Sequence, residues 1–225
     1  FKNKKGQCVL FRPDFNWQRM KDGADRLCME APPKDIFIEG VKALIRTDID
    51  WLPEDPNCSL YIRPTLIGTE AFLGVRPADE VTFFVILSPV GSYYSTGIEP
   101  VKIWVEQKYL RAAPGGLGAT KAAANYAGSL KAALEAKKKS CAQVLWLDVE
   151  RQHIEEVGTM NVFFVFDNEI VTPKLDGTIL PGGTRDSLIQ LLNNSGRKVT
   201  ERKVTLKEVL EGVRSGRLKE AFGAG

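Results

Sequence analysis

The stretch 116-GLGATKAAANYAGS-129 places one amine, Lys121, where a glycine-rich segment passes into an alanine-rich one. Its neighbours are among the smallest side chains available. Ala122 to Lys139 has the composition of a strong helix, so Lys121 stands near a helix N-terminus. A cation there costs ~0.3 to 1 kcal/mol against the helix dipole. Small apolar neighbours add desolvation, and both effects favour the neutral amine. A neutral amine is the nucleophile of Schiff-base chemistry. On the residues alone a plain surface lysine is the simpler reading. They exclude a P-loop, because Thr120 rather than glycine precedes the lysine, and Gly116-Leu117-Gly118 lacks the third glycine of a dinucleotide fingerprint.

Helices and strands mix on both sides of this stretch. Cys8 to Phe11 reads as a short strand, and Asp14 as the cap of a helix running through Cys28, with Met20, Ala24 and Leu27 on one face. Lys34 to Trp51 reads as a second helix with an Ile38, Val41, Leu44, Ile45 stripe. Leu60 to Ile67 and Val81 to Leu87 are strands, rich in β-branched and aromatic residues. Val101 to Val105, Gln143 to Leu147, Asn161 to Phe166 and Ile170-Val171 are further strands. Asp186 to Leu192, Leu206 to Gly212 and Arg217 to Phe222 read as helical pieces. The expected class is α+β: a small α/β unit over 1–90, a linker over 91–100, and a larger unit over 101–225.

Composition narrows the function classes. The chain has 225 residues, 44% hydrophobic and 26% charged, with a formal charge of only +3, so no nucleic-acid partner is expected. No apolar run approaches the ~18 to 20 residues of a membrane span. Lys137-Lys138-Lys139, the longest basic run, reads as the end of the alanine-rich helix. Cys8, Cys28, Cys58 and Cys141 are scattered without a CxxC, which argues against structural zinc and fits reduced thiols in the cytoplasm. His153 is the one histidine, so no two-histidine metal site can form, and it reads as a turn residue.

Two other places carry chemistry. Leu180-Pro181-Gly182-Gly183-Thr184-Arg185 reads as a turn into a helix with Thr184 as N-cap, either a phosphate cup or a simple capped turn. Glu155-Glu156 precedes the strand Val162 to Phe166, either as an acidic turn or as a carboxylate that holds a pyridine nitrogen protonated. A lysine, a phosphate cup and a pyridinium partner are what pyridoxal phosphate asks of a protein.

The blocks LFRPDFNWQRM, SLYIRPTLIGTEAFLGV, GGLGATKAAANYAGS, QVLWLD, EEVGTMNVFFVF and LDGTILPGGTR occur here in an order that resembles the branched-chain amino acid aminotransferases. These are fold-type IV enzymes, which implies a small α/β domain and a larger one with a mostly antiparallel pseudo-barrel sheet. The resemblance implies pyridoxal 5'-phosphate as cofactor and Lys121 as the lysine that holds it covalently. Tyr126 is similar to the tyrosine on its phenolate oxygen, and Glu156, rather than Glu155, to the partner of its ring nitrogen. Arg19, Gly183 and Thr184 resemble its phosphate contacts, Leu180 the residue packed on the ring, and Thr159 part of the network around it. Tyr61 and Arg63 alternate on one strand face and resemble the pair that organises the substrate carboxylate. Val75 resembles an apolar residue lent to a neighbouring subunit, which implies a homodimer. The implied reaction moves the amino group of leucine, isoleucine or valine to 2-oxoglutarate. A D-amino acid aminotransferase or an aminodeoxychorismate lyase shares the lysine and glutamate, but SLYIRPTLIGTE and EVGTMN favour the branched-chain group. Gly183 departs from the family, where a branched apolar residue is common. Family members also continue before the position of Phe1 and past that of Gly225.

Overall fold

Gln143–Leu147 is apolar at every position after its first, and its surroundings explain why. The strand (β4) is covered on both sides, so alternation would serve no purpose. Val144 and Trp146 pack on Ala132 and Ala136 of a helix, while Leu145 and Leu147 join the main core on the other face. The computed structural model describes every residue except 92–96 and 98. It divides into two units, Phe1–Glu99 and Pro100–Gly225. Most of the expected 91–100 linker lies outside the described residues.

In Phe1–Glu99, α1 (Pro13–Arg26) packs on α2 (Lys34–Thr47), and a long antiparallel hairpin follows, β1 (Ser59–Gly68) with β2 (Val81–Val90). Phe37 and Val41 are the buried residues of α2, and the Phe37 ring stacks on Phe83 of β2 at 5.7 Å. Several expectations need correcting. Cys8–Phe11 is no strand; Cys8 makes one isolated bridge to Lys2. Asp14 does not cap α1. Arg12 occupies the cap position with φ 46°, Pro13 starts the helix, and Asp14 pairs with Lys34 at 2.7 Å. The second helix stops at Thr47, and a single 3-10 turn covers Ile49–Trp51.

In Pro100–Gly225, β3 (Ile103–Val105) runs parallel to β4, with α3 (Ala123–Lys138) between them in sequence. The strand β5 (Ile154–Val157) closes this sheet antiparallel to β4. A second sheet has the order β8-β7-β6-β9, from Val199–Arg202, Ile170–Pro173, Asn161–Phe166 and Leu218–Ala224. Here β7 and β8 are parallel and joined through α4 (Gly183–Asn194), while the other pairs are antiparallel. Both parallel pairs thus use a helical crossover, as parallel strands require. The core lies between the sheets: Leu145, Leu147, Ile154 and Val157 meet Val162, Phe164 and Val171.

Three expectations fail in this unit. Glu155 and Glu156 belong to β5, not to a turn, and both are buried. Arg217–Phe222 is not helical. Gly216, at φ 71°, ends α5 (Leu206–Ser215), and the chain returns as β9 against β6. Thr184 is not the cap of α4; Gly182 is, with no side-chain cap bond. The strand β8 was not anticipated at all. His153 sits beside a turn as expected, its Nδ1 2.7 Å from Asp148 Oδ2. All four cysteines are free thiols. Among the described residues no helix is long and apolar enough to cross a membrane, and no group of three or more His, Cys, Asp or Glu could hold a metal ion.

Candidate active site

The loop before α3 is held by its own helix and by a distant segment. Asn125 Nδ2, one turn into α3, donates to Leu117 O at 2.7 Å and Thr120 O at 2.8 Å. A Cβ on Gly118 would stand 2.1 Å from Thr178 O and 2.6 Å from the Ala112 Cβ, so only glycine lets the loop lie this close. Lys121 leaves the loop two residues before the helix begins. Its Nζ donates to Tyr126 Oη at 2.9 Å, with the ammonium 5.6 Å from the ring centre. The desolvation expected from its small neighbours is not found, because Lys121 is exposed.

Tyr126, Glu156, Thr159 and Leu180 line one open pocket together with Arg111. Glu156 is 3% exposed. Its Oε1 accepts from Leu180 N at 2.9 Å and lies 3.3 Å from Arg111 Nη2. Burial pushes this carboxyl above the usual range; Arg111 and the Leu180 N–H pull the other way without overcoming it. Arg111 also donates through Nη2 to the carbonyls of Thr178 and, at 3.3 Å, Gly118. Asn161 Nδ2 donates to Leu180 O at 2.9 Å. A Cβ on Gly182 would stand 2.2 Å from Asn161 Oδ1, so the turn from Leu180 into α4 rests on this side chain. Gly183 and Thr184 form the first turn of α4, and Thr184 Oγ1 donates to Gly225 O at 3.2 Å.

The structure therefore brings together Lys121, Tyr126, Glu156, Thr159 and Leu180, with Gly183 and Thr184 a few residues on. Arg19, Tyr61, Arg63 and Val75 belong to Phe1–Glu99 and are described within it. Arg19 lies on α1, half-buried, its Nη2 3.0 Å from Asn16 Oδ1. Tyr61 and Arg63 share an exposed face of β1, the guanidinium 5.3 Å from the ring centre. Val75 is fully exposed in the β1–β2 loop. Arg111, Asn125 and Asn161 were missed by sequence reasoning. None had a readable local signal: Asn125 acts on the carbonyls of Leu117 and Thr120 in the loop before its own helix.

A family model, amino-transferase class IV, matches residues 2–219, and the chain belongs to that family. Its architecture is that of the fold-type IV aminotransferases. The crystal structure of the Escherichia coli branched-chain amino acid aminotransferase superposes with a TM-score of 0.84 at 28% identity, over 100% of this chain and 71% of that one. An aminotransferase from Brucella abortus, solved bound to the co-factor PLP, gives 0.76 at 27% identity, over 96% of this chain and 74% of that one. Among relatives, branched-chain-amino-acid aminotransferase 2 of Bacillus subtilis is 50% identical over 218 residues, 96% of this chain and 60% of that protein. The chain spans about 60% of the length of the curated relatives it matches.

Proposed function

We propose that the protein is a pyridoxal-phosphate aminotransferase of branched-chain amino acids. In this reading it moves the amino group of L-leucine, L-isoleucine or L-valine to 2-oxoglutarate and gives the branched 2-oxo acid and L-glutamate. The observation that carries it is the Lys121–Tyr126 pair, 2.9 Å apart beside a pocket lined by the buried Glu156. Relatives up to 50% identical are branched-chain-amino-acid aminotransferases, which supports the substrate class.

The donor set fits the cofactor. An amine and a phenol lie side by side, a buried carboxylate lines the same pocket, and α4 begins without a side-chain cap. Bound pyridoxal phosphate supplies a sink for the electrons left on the substrate Cα when its proton is removed. Lys121 Nζ holds the cofactor and moves that proton. Tyr126 Oη donates towards the cofactor's phenolate oxygen and keeps the amine oriented. Both contacts of Glu156 fall on Oε1, which leaves Oε2 for the ring nitrogen. Leu180 and Thr159 pack and polarise the ring's surroundings. The first turn of α4, Gly183 and Thr184, takes the phosphate through backbone N–H groups and the helix dipole, with Arg19 as a further phosphate contact. Tyr61 and Arg63 orient the substrate carboxylate. Val75 serves a second copy of the chain, which makes the working unit a homodimer. A cytoplasmic location completes the reading, supported by bacterial relatives and free thiols.

The test is borohydride reduction of the protein supplied with pyridoxal phosphate, followed by peptide mapping. A phosphopyridoxyl group on Lys121 alone is expected, and labelling elsewhere with Lys121 unmodified would sink the reading. Turnover of L-leucine in preference to D-alanine separates the branched-chain enzyme from its D-amino acid counterpart.

A further inference from the structure

Behind the pocket a single hydroxyl faces two carboxyl groups. Thr178 Oγ1 lies 2.6 Å from Glu155 Oε1 and 2.7 Å from Asp176 Oδ1. A hydroxyl has one proton to donate and can accept another. With both carboxyls ionised, one of these contacts would be oxygen against oxygen with no hydrogen between. We infer that the Glu155–Thr178–Asp176 chain holds one extra proton, carried by Glu155 as a neutral acid. Glu155 then donates to the Thr178 hydroxyl, and the hydroxyl donates to the Asp176 carboxylate.

The two ends of the chain decide where the proton resides. Asp176 is exposed, and its Oδ1 also accepts the Thr178 N–H at 3.3 Å, so its charge is solvated and bonded. Glu155 is 5% exposed, and its Oε2 is a buried oxygen with no hydrogen-bond partner. An ionised carboxylate left that way is far more costly than the carbonyl oxygen of a neutral acid. The titratable groups around Glu155 come from several elements. Asp148 and His153 at the β4–β5 turn, and Lys174, Asp176 and Lys203, line the same small cavity. Burial, then Asp176 and Asp148, raise the carboxyl above its usual range; Thr178 and Arg111 oppose them without prevailing.

This matters to the proposed cofactor site, and the role of Glu155 rests on that reading. Glu155 is the extra residue of a β-bulge: Trp146 pairs with Glu156 and Leu147 with Ile154. Such a bulge re-aims side chains, and here the two neighbours reach different partners. Arg111 bonds the carbonyl of Thr178 and contacts Glu156. With Glu155 neutral, Arg111 faces one buried anion instead of two, and its charge holds Glu156 in place. Glu155 is thus a positioning residue for Glu156, acting through Thr178 and Arg111.

The test reads the proton itself. Infrared spectra of the full chain carrying carboxyl-13C glutamate, at about pH 7, are expected to contain an un-ionised carboxyl band absent from Glu155→Gln. A spectrum with carboxylate bands alone, or a band that Glu155→Gln leaves in place, would overturn the inference. Should Glu155→Gln fail to fold, Thr178→Ser is expected to keep the band at its wild-type frequency and Thr178→Val to move it; a band indifferent to both overturns it equally. The positioning role adds one readout. With pyridoxal phosphate bound, the visible spectrum of the wild type is expected to show, as pH rises, a titration step that the spectrum of Glu155→Gln lacks. The same change in both would remove the role. Borohydride labelling at Lys121 reports on the cofactor independently, so either reading can fail alone.

Discussion

In Pro100–Gly225 the strands are clamped. Phe163 and Val171 are 0% exposed, and β4 is covered on both faces. In Phe1–Glu99 the hairpin is open: Leu60 is its one buried residue, and β2 alternates half-buried with exposed positions along most of its length. The loop between its strands carries Leu73 and Val75, both about fully exposed, and Phe72 at 55%. The difference separates two kinds of site residue. Lys121, Tyr126 and Glu156, the residues proposed to carry the chemistry, belong to the clamped unit. Tyr61, Arg63 and Val75 stand on the open hairpin, where side chains can adapt to what meets them.

The comparison can be broken most directly at the amine. Lys121→Ala is expected to lower transamination by at least ~10³-fold, with the protein still folded by circular dichroism; retained turnover would detach the reaction from the clamped unit. Next in size is the core. Phe163 is fully buried and stacks on Phe222 at 5.3 Å, so Phe163→Ala should cost ~3 to 5 kcal/mol in urea unfolding. Gly118→Ala forces a Cβ into Thr178 O, and a loss of ~1 to 3 kcal/mol is expected, together with weaker cofactor retention. At the other extreme, Leu73→Ser on the exposed loop should stay within ~0.5 kcal/mol. A large loss there would mean that the open hairpin is clamped as well.

The buried glutamates add a pH dependence to the clamped unit. Both have carboxyls raised above the ordinary 4.5. A raised folded value means that the native state holds protons more tightly than the unfolded chain. Their contribution to stability is therefore full below 4.5 and lost as pH rises through the raised values. The urea midpoint should fall from about pH 5 upward, and Glu155→Gln should flatten part of that fall. A midpoint that rises over the same range would contradict the burial argument.

Much of this was legible in the sequence. The alanine-rich α3, the β-branched strands and the apolar QVLWL run carry local signals that agree with their places in the fold. Tyr126 and Glu156 of the pocket, and Lys121 beside it, lie in recognisable blocks. What failed was set by distant partners. Leu218–Ala224 is built partly from helix formers, Leu-Lys-Glu-Ala, and becomes a strand because Gly216 turns the chain back onto β6. Glu155 and Glu156 look like a turn because carboxylates rarely enter a covered strand. Arg111, Thr178 and distant backbone groups make that possible, and no local pattern announces them. Arg111 itself sits in an unremarkable Tyr-Leu-Arg-Ala-Ala run; its importance lies in reaching a carbonyl 67 residues away.

That reach has a consequence for how the molecule comes into being. Gly118 and Arg111 both rest on Thr178, so the lysine-bearing loop has no complete support until the later segment has been synthesised and has docked. Closing so long a span is slower than forming the helix α3 beside it. On the ribosome, α3 can form early while the loop waits, and Lys121 takes its final position only once the Thr178 segment has docked. The loop that carries Lys121 is thus completed after the helix beside it.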